Sequence, residues 1–204
     1  FFFLDEDHFS IVVGDVSGKG VPAALMMAVC KTLIKSHSEN YTSTAHILTK
    51  VNDEMAVDNV NSMFVTVFMA IINIKTGELT YSNAGHNPTY VKRKDGTVEK
   101  LSELHGVVIA AMEGILYKES KVQLQADDII FAYTDGIPEA HNANKEMYSD
   151  EKLDQFINAH KFKSAKQLVN EVIESVLQFE GDSERFDDIT AMCLKYDKMN
   201  TTIE

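Results

Sequence analysis

"GDVSGKGVPAALMMAVCKTLIK", residues 14–35, decides how this chain is read. It joins an apolar run, "FSIVV" (9–13), to a segment with helical periodicity, so a strand ends in a glycine-rich turn and a helix starts close behind it. Pro22 suits the first turn of that helix, where its missing N–H is not needed. Gly14, Gly18, Gly20 and Lys19 resemble a phosphate cradle, but the order is wrong. G-x-x-x-x-G-K-[ST] fails because Gly20 follows the lysine, and G-x-G-x-x-G fails because three residues separate Gly14 from Gly18. The carboxylate of Asp15 would oppose a bare phosphate, so the turn reads first as a cation site. Ser17 does not sit in a G-x-S-x-G elbow, and no histidine is marked as its base.

Outward from this turn, helix 22–35 is apolar nearly all round and is expected to be buried. A second helix covers 43–58, with Ile47, Leu48, Val51 and Met55 at helical spacing and Ser43 or Thr44 as its cap. The pattern then changes to strands: two around the turn "IKTGE" (74–78), a hairpin at "RKDGT" (93–97), an alternating stretch "YKESKVQLQ" (117–125), and a buried strand "DDIIFAYTDG" (127–136). Helical periodicity returns over 150–180, and "DDITAMCLKY" (187–196) closes the chain with a strand. Antiparallel-looking strands between helical blocks predict an α+β fold of one domain.

Composition narrows the function classes. The chain has 204 residues, 45% hydrophobic and 25% charged, with three prolines, ten glycines and a formal charge of −12. That acidity disfavours nucleic acid as a partner, since neutralising phosphates takes clustered Lys and Arg. No apolar run approaches the ~18 to 20 residues that span a bilayer, so no membrane is expected. Cys30 and Cys193 lie in apolar settings far apart and read as buried thiols, which suits the cytoplasm.

Three aspartates share a setting. Asp15, Asp135 and Asp187 (with Asp188 beside it) each stand where an apolar strand-like run begins or ends. Strand ends from distant parts of a chain can meet at one sheet edge, and carboxylates gathered there call for Mg²⁺ or Mn²⁺, hard ions that prefer oxygen. The competing reading is that each is a turn aspartate. His86, in "SNAGHNP", is either a general acid or a turn-holding residue.

Four stretches in order, "GDVSGKGVPAALMMA", "MFVTVFMAIINIKTGELTYSNAGHNP", "DDIIFAYTDGIPEA" and "RFDDITAMCLKY", resemble the bacterial PPM-type metal-dependent protein serine phosphatases of the SpoIIE/RsbU branch. The resemblance covers about residues 1–196, leaving 197–204 as a tail. It implies an α-β-β-α sandwich, two antiparallel sheets flanked by helices, and two Mn²⁺ or Mg²⁺ ions sharing a water that attacks a phosphoserine. It assigns Asp15, the Val16 carbonyl, Asp135 and Asp187 as ligands, with Asp188 next to them; the leaving serine oxygen then takes its proton from a water or from a side chain such as His86. It further implies a phosphoserine-containing regulatory protein as substrate, such as an anti-sigma-factor antagonist, and an upstream sensory or receiver domain. Regulation by homodimer formation or by movement of helix 22–35 belongs to the same implication. Family members carry a further acidic "GGDFYD"-like motif that here would precede Phe1. The chain therefore reads as N-terminally truncated, with a weakened second metal site; Asp5 and Asp7 read as a β-turn and not as replacements. A switched-off phosphatase-fold module that binds a phosphorylated partner is the alternative.

Overall fold

The computed structural model describes residues 1–40, 43–57, 59, 62–183 and 187–197. They contain nine strands and four α-helices, arranged in two compact units.

The first unit comprises residues 1–86 and 102–124, with 198–204 outside the described residues. Its antiparallel sheet has the order β1-β2-β3-β4-β7: β1 (Phe2–Phe3), β2 (His8–Val16), β3 (Val65–Asn73), β4 (Glu78–Ala84) and β7 (Ser120–Gln123). β3 lies at the centre and is buried at seven of its nine positions, which is why "VTVFMAIIN" reads as a continuous apolar run and not as an alternation. Helices α1 (Val21–Ser38) and α2 (Thr44–Ala56) pack on this sheet. Ser43 caps α2 by accepting the His46 N–H at 3.2 Å. The expected spacing holds, with Ile47, Leu48, Val51 and Met55 all buried.

Helix α1 departs from expectation. Ala23, Cys30, Ile34 and Ser38 are its buried residues, while Val21, Leu25 and Val29 are 72%, 63% and 51% exposed. Composition suggested burial all round, but a helix packed on one sheet and one neighbour covers one side only, and the stripe at 21, 25 and 29 faces solvent. The helix also runs on through Ser38, whose hydroxyl donates to the Ile34 carbonyl at 2.7 Å.

The second unit comprises residues 87–101 and 125–197. Its antiparallel sheet has the order β6-β5-β8-β9: β5 (Thr89–Lys92), β6 (Val98–Leu101), β8 (Ile129–Tyr133) and β9 (Ala191–Lys195). The Asp-Gly hairpin forms as expected between β5 and β6, with Gly96 at φ 98°. Helices α3 (Ser149–Ala159) and α4 (Ala165–Glu180) supply Leu153, Ile157, Leu168, Val172 and Val176 to a core shared with Tyr90, Phe131 and Tyr133. Both cysteines are free thiols, and burial pushes each pKa up to about 12. No helix among the described residues is long and apolar enough to cross a membrane.

The two sides of α1 give a direct comparison. Ile34→Ala, at a fully packed position, is expected to cost about 2–5 kcal/mol of unfolding free energy. Leu25→Gln is expected to stay within about 0.5 kcal/mol of the parent. Urea denaturation of the two variants measures the difference.

Candidate active site

In the first unit, Asp15 and Val16 are the last two residues of β2. Asp15 pairs across with Thr66 on β3, and Gly14 with Val67. A Cβ at Gly14 would lie 2.8 Å from the Thr66 carbonyl oxygen, a separation that real side chains do not make. Only glycine lets the strands close at this point. Gly18 and Gly20 have room for a side chain, and what they need is backbone freedom, at φ 86° and 80°. Ser17 staples the turn to the start of β3: its N–H donates to the Phe64 carbonyl at 2.9 Å, and its hydroxyl accepts the Phe64 N–H at 2.8 Å. That engagement agrees with reading Ser17 as structural. The Ala24 N–H donates to the Gly20 carbonyl at 3.0 Å, which starts α1.

His86 is 4% exposed. Its Nδ1 is 2.8 Å from the Thr66 hydroxyl, which also reaches the Asp15 carbonyl oxygen at 3.4 Å. Asn83 clamps the histidine backbone from both sides: the His86 N–H donates to Asn83 Oδ1 at 2.7 Å, and Asn83 Nδ2 donates to the His86 carbonyl at 3.0 Å. Thr66, Asn83 and His86 thus tie the end of β2 to the loop after β4. Sequence reading missed Thr66 and Asn83. Asn83, three residues before His86, carried a usable turn signal. Thr66 carried none, because its role depends on cross-strand register.

Behind Asn83 sits His105, also buried, whose Nδ1 accepts the Asn83 N–H at 3.1 Å. Burial lowers its pKa below the ordinary 6.5, against a smaller raising effect from Glu103 and Glu119. The folded protein therefore binds this proton less readily than the unfolded chain does. Stability is expected to be full above pH 6.5 and to fall as pH drops through the folded pKa. Denaturant titrations from pH 8 to about 5 should show that slope, and His105→Gln should flatten it.

In the second unit, Asp135 follows β8, and Asp187 and Asp188 precede β9. The Thr134 N–H donates to the Thr190 carbonyl at 3.0 Å, and the Thr190 N–H donates back to the Thr134 hydroxyl at 3.1 Å. These bonds carry the β8–β9 ladder past Tyr133↔Ala191 into the two turns. A Cβ at Gly136 would lie 2.2 Å from the Asp188 carbonyl oxygen. The absent side chain lets "TDG" lie directly against "DDIT", so Asp135 and the 187–188 pair, distant in sequence, are brought together. The Asp188 N–H donates to Asp187 Oδ1 at 2.9 Å, which orients that carboxylate. Arg185 and Phe186 of the same motif lie outside the described residues.

Two aspartates flank β8, and their surroundings differ. Asp128 is 1% exposed and accepts from Arg93 Nη1 at 2.7 Å and from the Gln125 and Lys94 N–H groups at 2.8 and 3.1 Å. Asp135 is half-buried, and among the described residues its carboxylate makes no ion pair or hydrogen bond. A half-buried carboxylate with no cation of the protein on it fits a hard divalent ion as its partner, since its donors are oxygen. Among the described residues no three His, Cys, Asp or Glu side chains stand together as a ready-made metal group. The candidate carboxylates stand next to strand ends, Asp15 in the first unit and Asp135, Asp187 and Asp188 in the second.

Gly136→Ala tests the contact that joins the two motifs. Forcing a methyl against the Asp188 carbonyl is expected to cost about 1–3 kcal/mol, as overpacking does. Thermal or urea unfolding reads that loss, and a neutral result would mean that the 187–190 segment can yield.

Comparison with known proteins places this geometry. Residues 5–197 match the family described as stage II sporulation protein E (SpoIIE). The chain is 31% identical over 195 residues to the phosphoserine phosphatase RsbU of Bacillus subtilis, covering 95% of this chain and 57% of RsbU. It is 26% identical to protein IcfG of Synechocystis sp., covering 95% of this chain and 34% of IcfG. It thus spans little more than half of one relative and about a third of the other. Among solved structures, the SiaA-PP2C domain of Pseudomonas aeruginosa aligns with a TM-score of 0.82 at 19% identity, covering 95% of this chain and 78% of that one. The PP2C phosphatase domain of SpoIIE from Bacillus subtilis gives 0.81 at 17%, covering 95% and 56%. RsbX, solved in complex with magnesium, gives 0.66 at 19%, covering 94% and 82%. These likenesses establish the expected α+β fold of the PP2C phosphatases, with two antiparallel sheets and flanking helices. Matched from Asp5 to Asp197, the chain belongs to the SpoIIE family.

Proposed function

We propose that this chain is a metal-dependent protein serine phosphatase that hydrolyses phosphoserine on a regulatory protein, such as an anti-sigma-factor antagonist. Mn²⁺ or Mg²⁺ is held by Asp15, the Val16 carbonyl, Asp135 and Asp187, with Asp188 adjacent. The observation that carries this reading is the close approach of Gly136 to the Asp188 backbone, which joins the turn that carries Asp135 to the turn that carries Asp187 and Asp188. The name of RsbU supports the substrate class, and the magnesium complex of RsbX supports the kind of ion.

A bound divalent ion supplies what the side chains lack, positive charge that makes water a better nucleophile and offsets charge growing on the phosphoryl oxygens. The chain's own residues hold position. The Thr134–Thr190 bonds fix the Asp135 and Asp187 turns on the β8–β9 ladder. Ser17 keeps its turn against β3, so the end of β2 presents Asp15 and the Val16 carbonyl from a fixed strand. Thr66 and Asn83 hold the His86 ring and backbone, and His86 gives a proton to the leaving serine oxygen. Direct attack of water on phosphorus needs no covalent intermediate on the protein. The cellular setting belongs to the same reading: a cytoplasmic enzyme within a longer protein, governed by an upstream sensory or receiver domain or by homodimer formation.

Phosphate release from a phosphoserine peptide is the test. With Mn²⁺ present, turnover is expected, and EDTA should abolish it. Asp135→Asn should lower kcat/KM by about 10²-fold or more, the scale of a lost group that stabilises the transition state. If Mn²⁺ binds but neither this chain nor one extended upstream of Phe1 releases phosphate, the domain is a switched-off module that binds a phosphorylated partner.

A further inference from the structure

The turn between α3 and α4, "HKFKSAK" (160–166), plays no part in this chemistry. It holds His160, Lys161, Lys163 and Lys166, and no acidic residue occurs between Asp154 and Glu171, in a chain of net charge −12. The three lysines are exposed and form no ion pair among the described residues. Elsewhere in the same unit Arg93, Lys94, Lys100 and Lys195 each pair with a carboxylate. The turn is also braced. The His160 ring stacks on Phe156 at 4.2 Å and on Phe162 at 6.2 Å between centroids, so the lysines extend from an ordered base.

Its place in the unit can be measured along β8. Lys92 pairs in register with Ile129 at the start of β8, and its buried ammonium donates to the carbonyls of Ile157 and Asn158 at 3.0 and 3.5 Å. That pins the end of α3 to the Ile129 end of β8. Asp135 lies beyond the other end, so at ~3.3 Å per residue the turn is about 20 Å from it.

We propose that the 160–166 turn is a docking site for an acidic segment of the phosphoprotein substrate, remote from the phosphoserine itself. This rests on the phosphatase reading above. A protein segment fits better than the other polyanions. Nucleic acid or an anionic membrane would extend well past one seven-residue turn, over a surface that repels it within a Debye length of about 8–10 Å. A short acidic stretch on a bound substrate meets only the lysines, and its attachment raises its effective concentration there. A gap of about 20 Å takes at least about six extended residues, which sets where the acidic stretch lies.

The test uses the full chain with Mn²⁺ and phosphoserine peptides carrying a four-glutamate block. The block is placed about two or about eight residues from the phosphoserine, on either side, with glutamine blocks as controls. The expected result is a kcat/KM about tenfold higher for one of the eight-residue placements than for its glutamine control, a small part of the gain that tethering can supply. In Lys161→Ala/Lys163→Ala/Lys166→Ala that ratio should fall to about one, with p-nitrophenyl phosphate turnover and thermal unfolding unchanged, as befits exposed residues. Equal rates for glutamate and glutamine peptides, or a preference that survives in the triple variant, would overturn the proposal. Fluorescence anisotropy with the unphosphorylated glutamate peptide provides a second arm. Weaker binding of that peptide than of an oligothymidine 12-mer or of phosphatidylserine vesicles would also overturn it. If no peptide is hydrolysed by this chain or by one extended upstream of Phe1, the phosphatase reading fails, and loss or retention of anisotropy in the triple variant decides the docking site alone.

Discussion

The arrangement depends on two missing side chains. A Cβ at Gly14 would sit 2.8 Å from the Thr66 carbonyl oxygen, and one at Gly136 would sit 2.2 Å from that of Asp188. Each glycine is the immediate neighbour of a candidate ligand, Asp15 in the first case and Asp135 in the second. In both places another segment's backbone occupies the space a side chain would take, and the aspartate is thereby held against that segment. Neither glycine has a positive φ, so conformational freedom is not what selects it. Close approach is. Gly18 and Gly20 show the opposite case, with open space and left-handed backbone. One short motif therefore uses glycine for two unrelated reasons.

The strand β8 has the same residue type next to each of its ends, in two different settings. Asp128 is buried under Arg93 and two backbone N–H groups, and its charge is fully met. It closes the hairpin side of the sheet, and any other guest would first have to displace a guanidinium. Asp135 has the same strand behind it but no cation among the described residues. A half-buried carboxylate can be solvated or can take a metal ion, so of the pair only Asp135 is open to one.

Much of this was legible in the sequence, and the failures have physical causes. Alternation and turn residues located β2, the β3–β4 hairpin, the Asp-Gly hairpin and the closing strand, because each depends on neighbours within a few positions. Ser43 and the 47, 48, 51 and 55 positions marked α2 for the same reason. Burial of α1 was misjudged, since apolar composition reports what a helix can bury and not how many partners surround it. Leu25 and Cys30 look alike in the sequence; one lies on the solvent side and the other is 1% exposed. Thr66 and the Gly136–Asp188 contact could not be read at all. Both follow from strand register, which no local pattern specifies. The family resemblance reached the aspartates by motif, and the geometry supplied what the motif omitted: why glycine stands beside Asp15 and Asp135.

Fold and chemistry separate cleanly here. Structures only 17–19% identical share the architecture at TM-scores of 0.81–0.82. Such a fold is set by burial pattern and strand pairing, which many sequences satisfy. The distinguishing residues lie where those constraints lapse, at strand ends and in turns, and the ladder beneath them keeps their positions fixed. The Thr134–Thr190 bonds illustrate the point. They belong to the sheet by geometry, yet what they hold in place is Asp135 on one side and Asp188 on the other. A variant that loosens this ladder would leave the core intact and move the carboxylates, and so separate catalytic loss from unfolding.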